Sequence, residues 1–189
     1  MALLLKLRNT ATLLAIAVSL PAFIGIATAA PIAYEIIQDE NTPTGSQRTS
    51  ANITIVAPSA QDKASRAEAV KQAVNDKVAK DKTTVVNVSL IPSKQLLGTG
   101  ALLAQAEFYA DGCGFSGSPC NGVKWSVIAS DIKLSDKDLL IWNQWGISSK
   151  EFEAKGIFDD NKVAADVAKK LKIKLSEVEI PYVELEAVK

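Results

Sequence analysis

The sequence predicts an α+β fold in which an antiparallel sheet of about five strands carries helices packed on one face. Short runs near residues 33–38, 52–57, 83–91, 101–110 and 123–130 alternate apolar and polar side chains with the period of two that belongs to strands. Spacings of three and four replace that period over about 59–80 and again after Asp131. Most predicted strands follow one another directly and the helices are grouped, in the order β-β-α-β-β-β-α-α with a possible last strand. That order indicates an α+β domain rather than a regular alternation of strand and helix.

The first residues stand apart from this pattern. Lys6 and Arg8 precede an apolar run over 11–26, and Ala27-Thr-Ala29 gives the small-x-small motif of a signal peptidase site. The expectation is a cleaved signal peptide over 1–29, leaving 30–189 as one globular domain. A retained anchor is the rival reading, but Pro21 and Gly25 interrupt the run and a cleavage motif closes it, so no membrane contact is expected after processing. The expected location is periplasmic or extracellular, and the expected source bacterial.

In the remaining chain, 33–38 reads as a strand and 39–50, polar with Pro and Gly, as a loop. Ile53 and Ile55 alternate with Thr54 in the next strand, which Pro58 and Ser59 stop. In the helix that follows, Ala67, Val70, Val74 and Val78 form one thin apolar stripe, as expected of a helix lying across a sheet. Val86, Val88 and Leu90 alternate with Asn87 and Ser89, and Pro92 ends that strand. The runs at 101–110 and 123–130 then form a hairpin whose long tip holds both cysteines. Ser135 or Asp136 caps a helix carrying Trp142 and Trp145 that Gly146 is expected to end, and Ser148 with Glu151 reads as a capping box for a short turn ending at Gly156. Asp159 or Asp160 caps a last helix with Val163, Val167 and Leu171 on one face, and 178–188 reads as an edge strand.

Composition closes several functional classes. The chain has 189 residues, 21 Lys plus Arg against 21 Asp plus Glu, and no His. Nucleophile pairs and metal sites that depend on imidazole are therefore excluded. Without the leader, 19 basic residues face 21 acidic ones, which argues against nucleic acid as a partner. No cofactor motif is present.

Cys113 and Cys120 have six residues between them in a Gly-rich segment, in an exported chain that meets an oxidising compartment, so a disulfide is expected. A metal site would need two further ligands and no His is available, and the spacing is not Cys-x-x-Cys.

Tyr34 through Ile37, the run from Ala101 to Gly122 with Glu107-Phe-Tyr-Ala-Asp-Gly112 and Gly114-Phe-Ser-Gly117, and the strand from Trp125 to Asp131 carry a resemblance. On these residues the chain resembles an uncharacterised bacterial family of exported domains of unknown function. The resemblance covers most of the mature chain and implies a small exported α+β domain, with no activity and no catalytic residues.

The hairpin tip offers Asp111, Phe115, Ser116, Ser118 and Asn121 as a recognition loop closed by the disulfide. The competing reading is that its glycines and Pro119 only serve the turn, with Asp111 and Asn121 bonded to their own backbone. Exposure of Phe115 separates the two. A non-enzymatic module binding an envelope or extracellular protein is the leading expectation. One alternative is a hydrolase or lyase relying on carboxylates such as Glu35, Glu107 and Asp131, which needs two acids facing one pocket. Another is a carrier of a small apolar ligand, which needs an internal cavity lined by Trp142 or Trp145. Asp159, Asp160 and Asn161 lack calcium-loop spacing and read as a helix cap, so no metal site is expected.

Overall fold

The computed structural model describes residues 30–44, 48–118 and 120–188, so the signal peptide expected over 1–29 lies outside the described residues. Strand β1 (Glu35–Thr44) and strand β2 (Arg48–Val56) form an antiparallel hairpin. Helix α1 (Lys63–Asp81) carries the chain back so that β3 (Val85–Leu90) runs parallel to β2. Strands β4 (Ala104–Tyr109) and β5 (Trp125–Ala129) then add in antiparallel fashion, and β6 (Glu186–Ala187) closes the far edge. The six strands stand in the sheet in chain order with one parallel pair, and the sixth is a two-residue edge strand within the expected run 178–188.

Why α1 sits where it does follows from the alternation. Ile53 and Ile55, Val86, Val88 and Leu90, Ala104 and Ala106, and Val127 and Ala129 all point to one face and are buried. Ala67, Val70, Ala73 and Val74 of α1 meet them, and each buried branched side chain contributes roughly 1.5–3 kcal/mol. On the opposite face Asn52, Thr54, Asn87, Ser89, Gln105, Glu107 and Ser126 are half-buried or exposed. A sheet covered on one side produces this polar alternation.

The helix ends are built from local chemistry. Asp62 caps α1 in a reciprocal box with Ser65, and Lys82 ends it in the left-handed region. Ser135 and Asp138 form the same box for helix α2 (Asp136–Glu153), and Asp159 accepts from the backbone of Asn161 and Lys162 to cap helix α3 (Asp160–Leu171). Thus the Asp159 group caps a helix, as its spacing suggests.

Three expectations are corrected. The polar residues 39–44 and 48–50 are strand rather than loop: their backbone pairs in register from Asp39 and Ile53 to Thr44 and Arg48. Gly146 does not end a helix but lies inside α2, where an added Cβ would stand 3.0 Å from Leu96 and 3.2 Å from the Gln95 carbonyl oxygen. Glycine is required there by close approach of the 3-10 turn Lys94–Leu96, not by a turn of its own backbone. Ser148, read as a cap, is fully buried within α2 and donates to Asp166 of α3 at 2.7 Å. Around it Lys170 bridges Asp166 and Glu151, both at 2.8 Å. That network, with Ile141, Val163 and Val167, joins the last two helices.

Candidate functional site

The β4–β5 hairpin positions the site. Phe108 pairs with Trp125 across the strands, their ring centroids 4.9 Å apart, and beyond this pair the chain leaves the sheet for the tip. The neck of the tip is tight: the amides of Asn121 and Gly122 both donate to the Gly112 carbonyl, at 3.2 and 3.1 Å. Gly112 has φ 68°, and a Cβ there would lie 2.8 Å from the Gly122 Cα, so only glycine allows this crossing. Cys113 and Cys120 are joined as a disulfide with Cα atoms 3.9 Å apart.

Arg48, at the start of β2, is the second fastener. Its Nη1 donates to the Phe115 carbonyl at 2.9 Å and its Nη2 to the Gly114 carbonyl at 2.6 Å. Nη2 also reaches Asp111 Oδ1 at 3.3 Å, and Nε stands 3.1 Å from Oδ2. Asp111 uses the same Oδ1 to accept from the Cys113 amide at 3.0 Å, so one carboxylate joins the arginine to the loop backbone. No local pattern in the sequence points to Arg48: its partners are more than sixty residues away and its own segment reads as a loop.

The predicted site residues divide into two groups. Asp111 and Asn121 serve the backbone: the Asn121 side-chain oxygen accepts from the Val123 amide at 3.0 Å, closing the exit of the loop as Asp111 closes its entrance. Ser116 donates to the Ser118 carbonyl at 2.9 Å. Phe115 does none of this, and its side chain is presented to solvent at 55% exposure. Val123 at 52% and Trp125 at 36% are exposed apolar residues on the same hairpin. At its base Tyr109 donates to Glu107 at 2.9 Å, and burial followed by that bond pushes the phenol up to about 12.

The carboxylates named for acid-base chemistry do not converge. Glu35 pairs with Lys94, Glu107 accepts from Tyr109, and Asp131 accepts from the Lys63 amide and faces Lys133. Among the described residues no group of three His, Cys, Asp or Glu is placed to hold a metal ion. Trp142 is buried against Leu96 and Ala101 and Trp145 packs beside Ile141 and Val163, so both serve the core. They also line a cleft of about 330 Å³ beside the 3-10 turn, but Lys150, Glu153 and Asp160 share its walls. Its walls come from α2, the 94–99 segment, Asp160 of α3 and Ile180, with no strand residue among them. Among the described residues no helix is long and apolar enough to cross a membrane.

Fold and tip together define a small α+β domain with one helix-covered sheet face and a disulfide-closed hairpin. Residues 29–183 match a domain of unknown function, DUF4875, and the chain belongs to that family. It is also similar in fold to the crystal structure of a DUF487 family protein from Desulfovibrio piger, with a TM-score of 0.66 and 24% identity over 82% of this chain and 94% of that one. No curated protein matches the chain.

Proposed function

We propose that this is an exported, non-enzymatic binding module that engages an envelope or extracellular protein through the tip of the β4–β5 hairpin. The observation that carries the reading is Phe115: an aromatic ring 55% exposed on a backbone fixed by a disulfide and by the Arg48 guanidinium. A ring held ready on a stiff loop loses little conformational entropy on association, and exposed aromatics anchored this way are typical centres of protein interfaces. Val123 and Trp125 are further exposed apolar residues on the same hairpin. Export is supported by the expected signal peptide and by the disulfide, which persists in an oxidising compartment.

The test is cross-linking of the purified oxidised protein to envelope extract, followed by identification of the captured species. A discrete partner seen with the wild type and lost with both Phe115→Ala and deletion of 116–118 is the expected result. Equal capture by all three proteins would overturn the reading. The carboxylate-enzyme alternative retains one observation, that Glu153 and Asp160 line the same cleft as Lys150. Turnover of any ester, amide or glycoside panel that Glu153→Gln abolishes would favour it.

A further inference from the structure

Arg66 lies in the first turn of α1 and is 1% exposed, the bulkiest of the fully buried side chains. An arginine so deep is ordinarily paired with a carboxylate, because desolvating an uncompensated charge is costly. Here no carboxylate stands within ion-pair distance of it among the described residues. Asp62 and Asp131 act on it only at longer range, and burial, the larger effect, lowers its pKa from the ordinary arginine value.

Its hydrogen bonds are to neutral acceptors. Nε donates to the Ala60 carbonyl at 3.2 Å, and Nη1 to the Ser130 carbonyl and the Ser130 hydroxyl, both at 2.9 Å. These bonds use three of the five guanidinium N–H groups. The remaining two are on Nη2, which has no partner among the described residues.

Arg66 lines a cavity of about 100 Å³. Its other walls include Ala57, Ile91, Leu103, Leu134 and Leu139, with Gln61 exposed beside it. Ala57 follows the C-terminal end of β2 and Ile91 that of β3, the two strands that run parallel, and open sheets commonly place ligands beyond such ends.

We infer that this cavity is a binding site for a short aliphatic monocarboxylate, its carboxylate on Arg66 Nη2 and its alkyl chain against Ala57, Leu103, Leu134 and Leu139. The chemistry selects this class. One cationic nitrogen with two hydrogens suits one carboxylate oxygen, whereas a phosphate would bring more charge and more acceptors than a single nitrogen and an aliphatic wall satisfy. The volume suits an acid of about three or four carbons, by comparison with apolar cavities of similar size that hold one small organic molecule. The inference is independent of the hairpin reading, which uses the opposite end of β4.

The experiment is titration of the oxidised protein with butyrate, followed by amide chemical-shift changes, with butyramide and inorganic phosphate as parallel probes. Saturable butyrate shifts centred on 57–66, 91–92, 103 and 134–139, at least tenfold weaker for butyramide and for phosphate, are the expected result. Arg66→Lys should weaken butyrate by about tenfold. Because Arg66 also ties Ala60 to Ser130, the cavity is tested separately with Leu139→Trp, which fills it and leaves the arginine; butyrate shifts should then vanish. No saturable butyrate binding by the wild type, equal binding of butyramide, or undiminished binding by Leu139→Trp would each overturn the inference.

Discussion

Under α1, Val70, Val74, Val86, Val88 and Leu90 are sealed from water among other apolar side chains. Between Tyr109 and Trp125, by contrast, Gly112 alone is buried among the described residues, and order comes from one disulfide, one arginine and a few hydrogen bonds to the loop backbone. The first region is held by many contacts that each contribute a little. The second is held by a few covalent and polar constraints, any one of which can be removed by a single change. A surface that must keep a defined shape without a core beneath it is built in this second way, and its loosening need not reach the sheet.

The comparison can be broken at either end. Leu90→Ala removes a side chain that is 1% exposed in the middle of the core and should cost about 3 kcal/mol in urea denaturation, with disulfide closure of the tip unchanged. Cys113→Ser with Cys120→Ser should cost roughly 2 kcal/mol, by releasing the short loop in the unfolded chain, while far-ultraviolet circular dichroism at 25 °C stays that of the wild type. If that double variant lost native secondary structure, the tip would be part of the core rather than an appendage.

Acid should weaken the helix ends. The carboxyls of Asp62 and Asp138, held by their capping serines, that of Asp131, held by the Lys63 amide, and that of Asp166, held by Lys170 and Ser148, all stand below the ordinary aspartate value of 3.8. A carboxyl lowered in the folded state stabilises it above the unfolded value, and this contribution is lost as pH falls through the folded value. Helical ellipticity should therefore decline below about pH 4 in a titration followed by circular dichroism. Phe115→Ala has the smallest expected effect on stability, under about 0.5 kcal/mol, because the ring is exposed and only its backbone is bonded. Its effect should appear in partner capture.

How much of this was legible in the sequence follows the same division. Val86, Val88 and Leu90 alternate with Asn87 and Ser89 because one face of β3 meets α1 and the other meets solvent, so period two survives in the sequence. Residues 39–44 and 48–50 also form strands, but they are mostly polar, and backbone pairing of mostly polar residues leaves little periodic signal. Gly146 misled because glycine marks helix ends and close approaches alike, and only the position of Leu96 distinguishes them. At the tip, Cys113, Cys120, Asp111 and Asn121 act on near neighbours and could be read directly. Arg48 and Arg66 could not, since each acts on residues more than sixty positions away through contacts that no spacing rule encodes.

Native-state hydrogen exchange on Arg48→Met, compared with the oxidised wild type, tests most directly whether the tip is a separately fastened element. The account predicts faster exchange at the amides of Cys113, Asn121, Gly122 and Val123, with the amides of β2 and β3 keeping their wild-type protection. Unchanged exchange at the tip would contradict it, as would an equal loss of protection across the sheet.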